Sequence, residues 1–503
     1  MNPHTFKPEP ISSETDPNFI TRFQEALQTV RRQLGQDYPL IIGEKHLFSD
    51  TLVSSVNPCN PDSLIGRMAV ADRGHVEQAV SAAWRSFAEW SAASMTKRAE
   101  LVLELAELLS NQKLELAAWL TLEAAKNYSE GEREVAEAVN VCRFYALGAA
   151  KVVDTYSAHS VYHPKGVGTV IPGWSMPLAL LIHWVIPPLL MGNTIIVKTS
   201  SYTPTITQQF MRLVKKAGFP DGVVNLLAGD DSVTDLLVEH SRIRFIRFTG
   251  SLEAGTRIYE NAARLQLGQS WFKDVELELE AKNAVIMDES ADLARGIPLA
   301  ITSAYSFQGQ KSAAMSRLIV VDNIYDEVLE RFSEQVRALK VGPAEDNSDV
   351  AALISEEALE KVLGYLENGS IEARCVVGGE RLKGEGYFVQ PTVFADVPQS
   401  STVACEEIFG PVVSLMRARD FESALQLANA SHFAMRGGVM STNPETINRA
   451  KELFKVGNLF INKAITYPAK FVPVGGLKLS GVGAKRGELD YLLQFVDDTY
   501  ISE

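Results

Sequence analysis

Residues 248–255, FTGSLEAG, have a type and spacing that could do chemistry. An apolar run that ends in Thr249-Gly250-Ser251 and opens into a helix leaves free backbone N–H groups where a phosphate could sit. The pattern is not G-x-G-x-x-G, and on spacing alone an ordinary glycine turn before a helix is the stronger reading. Lys198 closes another apolar run, NTIIVKTS, where it could reach a ribose or a phosphate, or simply stand as a solvated strand-end lysine. The four cysteines, Cys59, Cys142, Cys375 and Cys405, are scattered without C-x-x-C spacing, so neither a structural zinc site nor a disulfide framework is expected. Of the eight histidines only His159 and His163 stand close together, weak evidence for a metal, and no metal site is expected.

These residues need a scaffold, and the hydrophobic pattern supplies one. Phe19, Ile20, Phe23, Leu27, Val30 and Leu34 recur at helical spacing, and residues 72–151 carry four further stretches with three-to-four periodicity. From Gly168 to Asp288 the pattern changes to short β-branched runs (VGTVIP, NTIIVKTS, GVVNLLAG, IRFIRFTG, NAVIMD) separated by amphipathic helices. A second alternation, with RLIVV, CVVGG, VVSLM and GNLFI, extends from Leu293 to Ile461. Short buried runs between helices mean parallel strands with crossover helices, so two closely packed α/β units with a ligand cleft between them are expected.

Composition narrows the function classes. The 503 residues carry 48 Lys+Arg against 62 Asp+Glu, a net charge of -14, which argues against a nucleic-acid partner held by phosphate contacts. The apolar share of 46% and the charged share of 22% are those of a globular protein. The longest apolar stretch, Met176 to Gly192, is too short to span a bilayer and is interrupted by His183, Pro187 and Pro188, so a buried helix followed by a turn is expected there, and no membrane. Neither a signal peptide nor a transit sequence is expected at the N-terminus, and the expected compartment is the cytoplasm.

Taken together, the runs IPGWSMP (171–177), GNTIIVKTS, FTGSLEAG, ELEAKNA (278–284), FQGQKSAAMSR (307–317), EEIFGPV (406–412) and VGGLKLSG (474–481) resemble the aldehyde dehydrogenase superfamily in order and spacing. The detail resembles its Δ1-pyrroline-5-carboxylate dehydrogenase branch over nearly the whole chain. The resemblance implies an α/β fold: a Rossmann-type cofactor domain (1–149 and 168–284), an α/β catalytic-type domain (285–478) and a small oligomerisation arm (150–167 and 488–503), hence a homo-oligomer. It also implies NAD contacts at Trp174, Lys198, Gly250, Ser251, Glu407 and Phe409, the last two at the nicotinamide ribose.

The family's chemistry is a cysteine thiolate attacking an aldehyde, an asparagine amide holding the oxyanion, hydride transfer to NAD, and thioester hydrolysis by a glutamate-activated water. By this resemblance the nucleophile position is Ser312, the oxyanion position Ser175 and the general-base position Glu278. A thiol is a few per cent thiolate at neutral pH, whereas a serine hydroxyl needs a base, and loss of one oxyanion donor costs about 10² to 10³ in rate. Glu280 and Ala281 stand where the family has glycines, and Ser201 replaces an adenosine-ribose glutamate. Tyr467-Pro468 replaces the Gly-Ala pair that anchors the substrate carboxylate, and Ala313 a serine beside it. The leading expectation is a non-catalytic or strongly impaired member acting as scaffold or regulatory partner, with NAD binding weakened. The alternatives are NAD-dependent oxidation of L-glutamate γ-semialdehyde to glutamate, and a remodelled small-molecule binder or enzyme using Glu278 and Glu280.

Overall fold

The structure, a computed structural model, describes residues 7–156, 160–466 and 472–502. Its frame is two sheets. The larger runs in the order Gly481–Val482, Asp274–Glu278, Phe245–Thr249, Val167–Ile171, Thr194–Lys198, Val224–Leu227, Leu40–Ile42, Lys45–Leu47. Its five inner strands from Asp274–Glu278 to Val224–Leu227 are parallel, and antiparallel strands close both edges. The second sheet has seven strands, in the order Arg374–Val377, Thr392–Ala395, Val412–Ala418, Met315–Val321, Asn283–Met287, Arg436–Met440, Asn458–Ile461, parallel but for the first.

The elements follow the sequence pattern closely. Phe19, Phe23, Leu27 and Val30 are the buried stripe of the helix Phe19–Arg31. The runs read as strands are buried along their whole length at Val167–Ile171, Thr194–Lys198, Val224–Leu227 and Phe245–Thr249. One apolar core gathers residues from Phe19 to Leu279 and takes in Tyr491, Leu492, Phe495 and Val496 from the C-terminal segment. Two further cores lie between Ala284 and Ile465.

The expected buried helix followed by a turn is found as Ala179–Leu190 and the turn Met191-Gly192, with Pro187 and Pro188 within the last turn of the helix. The carbonyl of Pro188, near the end of the helix, accepts from both the backbone and the side-chain N–H groups of Asn193. Among the described residues no helix is long and apolar enough to cross a membrane.

The strand Asp274–Glu278 was not expected, because three of its five residues are acidic. Backbone pairing with Phe245–Thr249 places it in the sheet, and ion pairing satisfies its buried acids. Arg247, buried on the adjacent strand, lies 3.2 Å from both Asp274 and Glu276, with Phe495 under its guanidinium at 4.8 Å. Burial pushes the Glu276 carboxyl up to about 7 against the pull of Arg247, and the Tyr491 hydroxyl donates to it at 2.9 Å. Removing one partner of such a pair strands the other charge, at a cost of about 3–5 kcal/mol. Arg247→Leu is therefore expected to lower the stability of the chain by about that amount, read from the urea unfolding midpoint. A change below ~1 kcal/mol would show that Glu276 is already neutral without Arg247.

Candidate active and cofactor site

Four neighbouring parallel strands deliver the candidate residues to one edge of the sheet. Val167–Ile171 leads into Trp174 and Ser175, Thr194–Lys198 ends on Lys198, Phe245–Thr249 leads into Gly250 and Ser251, and Asp274–Glu278 ends on Glu278. In parallel α/β sheets the crevice outside the carboxyl ends of the strands is where ligands bind. The register Thr249↔Glu278 and a hydrogen bond from the Gly250 N–H to the Glu278 carbonyl at 3.1 Å fix two of these strand ends together. Ser251 caps the helix Leu252–Ala263, its hydroxyl accepting from the Ala254 N–H at 3.2 Å.

Ser312 is presented by a strained loop. Phe307 and Gln308 adopt left-handed backbone, with φ of 52° and 56°, at about 1–3 kcal/mol each. Gly309 follows at φ 67°, and a Cβ there would come within 2.3 Å of the Gly410 carbonyl oxygen. The surroundings hold the loop in place. Gln310 Oε1 accepts from the Ile354 N–H at 2.9 Å, and Asn283 Nδ2 donates to the carbonyls of Ser312 and Ala314 at 2.7 and 2.8 Å. The backbone at Ser312 is thus fixed, while its hydroxyl has no hydrogen-bond partner among the described residues.

Glu278, in the position of the general base, is buried and ion-paired with buried Arg486, whose guanidinium lies 5.0 Å from the Trp184 ring. Both line a small crevice, with room for about one water, together with Glu276, Gly476 and Ala484. A carboxylate whose oxygen is held by a guanidinium must release that contact before the same oxygen can take a proton from water. Arg486 was not anticipated from the sequence, since an Arg six residues past the Leu479-Ser480 turn carries no recognisable pattern.

Lys126 is a second residue that the sequence did not single out. Its buried ammonium donates to the Ser175 carbonyl at 2.7 Å, pairs with Glu134 at 3.0 Å and lies 3.6 Å from the centre of the Phe307 ring. It joins the oxyanion position to the loop of the nucleophile position. Trp174 stands edge-on to Phe409 at 5.4 Å and to Phe307 at 6.2 Å, so two of the residues expected at the cofactor are in contact.

The remaining expected residues form two electrostatic groups. Lys198 is buried and has no hydrogen-bond partner among the described residues. Burial lowers its pKa, opposed by Asp231 and Asp230. Glu407 accepts from the Ala281 N–H at 2.8 Å, and Lys282 is buried beside it with its ammonium unpartnered, brought down to about 7 by burial. Glu280, half-buried, accepts from the Leu252 N–H at 3.1 Å. Neither Glu278 nor Glu280 is thus a free carboxylate in an empty cleft. The Tyr467-Pro468 departure and His159 lie outside the described residues.

Burial pushes Glu407 up to about 8, against the Ala281 hydrogen bond and with the help of the Glu280 charge. A carboxyl raised in the folded state contributes fully below its ordinary value near 4.5, and that contribution is lost as pH climbs towards 8. Glu407→Gln keeps an acceptor for Ala281 and cannot ionise. The parent should therefore lose urea stability between about pH 5 and 8 more steeply than the variant, and equal slopes would show Glu407 already ionised in the fold.

This geometry has close counterparts. The profile of the aldehyde dehydrogenase family matches residues 47–500. The chain is 38% identical over 509 residues to the 1-pyrroline-5-carboxylate dehydrogenase of Geobacillus thermodenitrificans (strain NG80-2), with 99% of each covered. It is 38% identical over 510 residues to 1-pyrroline-5-carboxylate dehydrogenase 2 of Bacillus subtilis (strain 168), again with 99% of each covered. Among solved structures it is similar to the 1-pyrroline-5-carboxylate dehydrogenase from Thermus with bound NAD, at 41% identity and a TM-score of 0.96 over 99% of both chains. With the two-sheet fold, the family profile and the relatives in agreement, the chain belongs to the aldehyde dehydrogenase family.

Proposed function

We propose that the chain binds NAD in the crevice at the strand ends and oxidises aldehydes poorly or not at all, serving in the 1-pyrroline-5-carboxylate dehydrogenase group as an oligomeric scaffold or regulatory partner. One observation carries this reading: the rigid loop that should present a nucleophile presents Ser312, and no cysteine lies between Cys142 and Cys375. A serine attacks only with a base to take its proton, and the expected base, Glu278, is ion-paired with Arg486. At the oxyanion position Ser175 offers a short, rotatable hydroxyl in place of an amide.

The cofactor residues fit a dinucleotide better. Lys198, buried without a hydrogen-bonded partner, suits a ribose or phosphate, and the Gly250-Ser251 turn at a helix N-terminus suits a diphosphate. Trp174 and Phe409 form an aromatic wall, with Glu407 beside them for the nicotinamide ribose. Bound NAD would supply a hydride acceptor; the residues above would orient it. The 1–149 plus 168–284 unit is read as the cofactor-binding part and 285–478 as the catalytic-type part.

The second reading, NAD-dependent oxidation of L-glutamate γ-semialdehyde to glutamate in proline catabolism, has the names of the relatives in its favour. An assay on the purified protein decides between the two. The parent should give no NADH above a no-enzyme control with the semialdehyde, and Ser312→Cys alone should stay near that background, because groups that act as a unit are not restored singly. Turnover of the parent at about 1 per second or faster would establish the dehydrogenase reading and end the other.

The arm supports the oligomer in the proposal. Ser160–Pro164 and Val496–Tyr500 pair antiparallel as a two-stranded ribbon that leaves Val161 and Tyr500 exposed. Such a ribbon has open edges that a second copy can pair with. Sedimentation at micromolar protein should give a species larger than the 55.2 kDa monomer, and a monomer alone would remove the scaffold reading.

A further inference from the structure

The parallel register Thr249↔Glu278 sets Glu280 beside the turn Gly250-Ser251-Leu252 of the neighbouring strand. There its Oε1 accepts from the N–H of Leu252, the first residue of the helix Leu252–Ala263. Ser251 takes the Ala254 N–H from the same helix end. The positive end of the helix, where free N–H groups would meet an anion, is thus already in contact with a carboxylate that the chain supplies from outside the helix.

A second observation points to a ligand at this edge. Lys198, on a nearby strand end of the same sheet, is more than nine-tenths buried and has no hydrogen-bond partner among the described residues. The charges that act on it belong to Asp231, Asp230 and Arg257, and Arg257 lies on the helix that Glu280 contacts. An ammonium carried on a buried stem and left without a hydrogen bond among the described residues suits a phosphate or hydroxyl from a ligand. The site therefore carries one group waiting for a nucleotide and one group in its way.

We propose that Glu280 is a built-in anionic competitor at the diphosphate seat, so that a dinucleotide binds only by displacing its carboxylate from the Leu252 N–H, and Glu280 sets the affinity of this chain for NAD. The proposal rests on the reading of the crevice as an NAD site. Its physics is simple. A diphosphate brought to the helix end meets a like charge in a region of reduced water, and must also replace a charge-assisted hydrogen bond.

The test is calorimetric titration of the full chain and of the E280Q and E280G variants with NAD, ADP and adenosine. Glu280→Gln removes the charge but keeps an acceptor for Leu252, so it preserves the helix end. Glu280→Gly removes both. NAD and ADP should bind about tenfold more tightly to Glu280→Gly, a change of about 1.4 kcal/mol, and by a smaller factor to Glu280→Gln. Adenosine, which has no phosphate, should bind all three alike. If Glu280→Gly does not fold, Glu280→Gln decides alone by the same comparison. Equal NAD affinity across the folded chains overturns the proposal and leaves the NAD site standing. An equal gain for adenosine overturns it too, since the effect would then be one of space and not of charge. No binding of NAD or ADP by any of the chains overturns both readings.

Discussion

Parallel strand pairing is the constraint on which the rest of this molecule depends. Parallel strands cannot be joined by tight hairpins, so each connection must cross the sheet, and the helices that cross it bury both faces. The strands then all point the same way and their carboxyl ends share one edge. Trp174, Ser175, Lys198, Gly250, Ser251 and Glu278 are spread over about a hundred positions of sequence, yet they meet because four neighbouring strands end there. Backbone hydrogen bonding, not side-chain attraction, assembles this site.

Having gathered these residues, the fold gives the acidic ones partners. Glu278 faces Arg486, Glu280 faces the helix that begins at Leu252, and Glu407 faces the Ala281 N–H. Each contact satisfies a group that would otherwise be costly to bury. The first two also set a group against the work that hydrolysis or cofactor binding would ask of the site, whereas Glu407 keeps its second oxygen free of the Ala281 contact. A glutamate can serve as general base only if its lone pairs are free when the water arrives. The ion pair with Arg486 works against that.

The contrast between the two halves of the site is chemical. The loop through Phe307, Gln308 and Gly309 retains costly left-handed backbone and close packing against Gly410, features that make sense where a side chain must be aimed. The side chain so aimed is a hydroxyl. Geometry typical of a working site therefore persists around a residue of much lower nucleophilicity. Similarity to dehydrogenases at 38–42% identity over 99% of the chain describes the frame, while reactivity depends on a handful of atoms within it.

The sequence by itself determined the fold class and three of the four strand ends at the site. β-branched runs between amphipathic helices leave few alternatives to a parallel sheet, because local periodicity decides which face is buried. It also identified Ser312, Ser175 and the glycine replacements, since a residue's identity needs no coordinates. The acidic strand Asp274–Glu278 was not legible, because its burial depends on Arg247, distant in sequence and adjacent only after folding. Nor were Lys126 and Arg486, whose roles arise from contacts across 49 and 208 residues of chain. The presence of Glu280 was readable, but its seat at the Leu252 N–H was not, because that contact exists only once strand register has placed a residue beside a turn 28 positions away. Long-range pairing of charges has no local period, and only the tertiary structure could decide it.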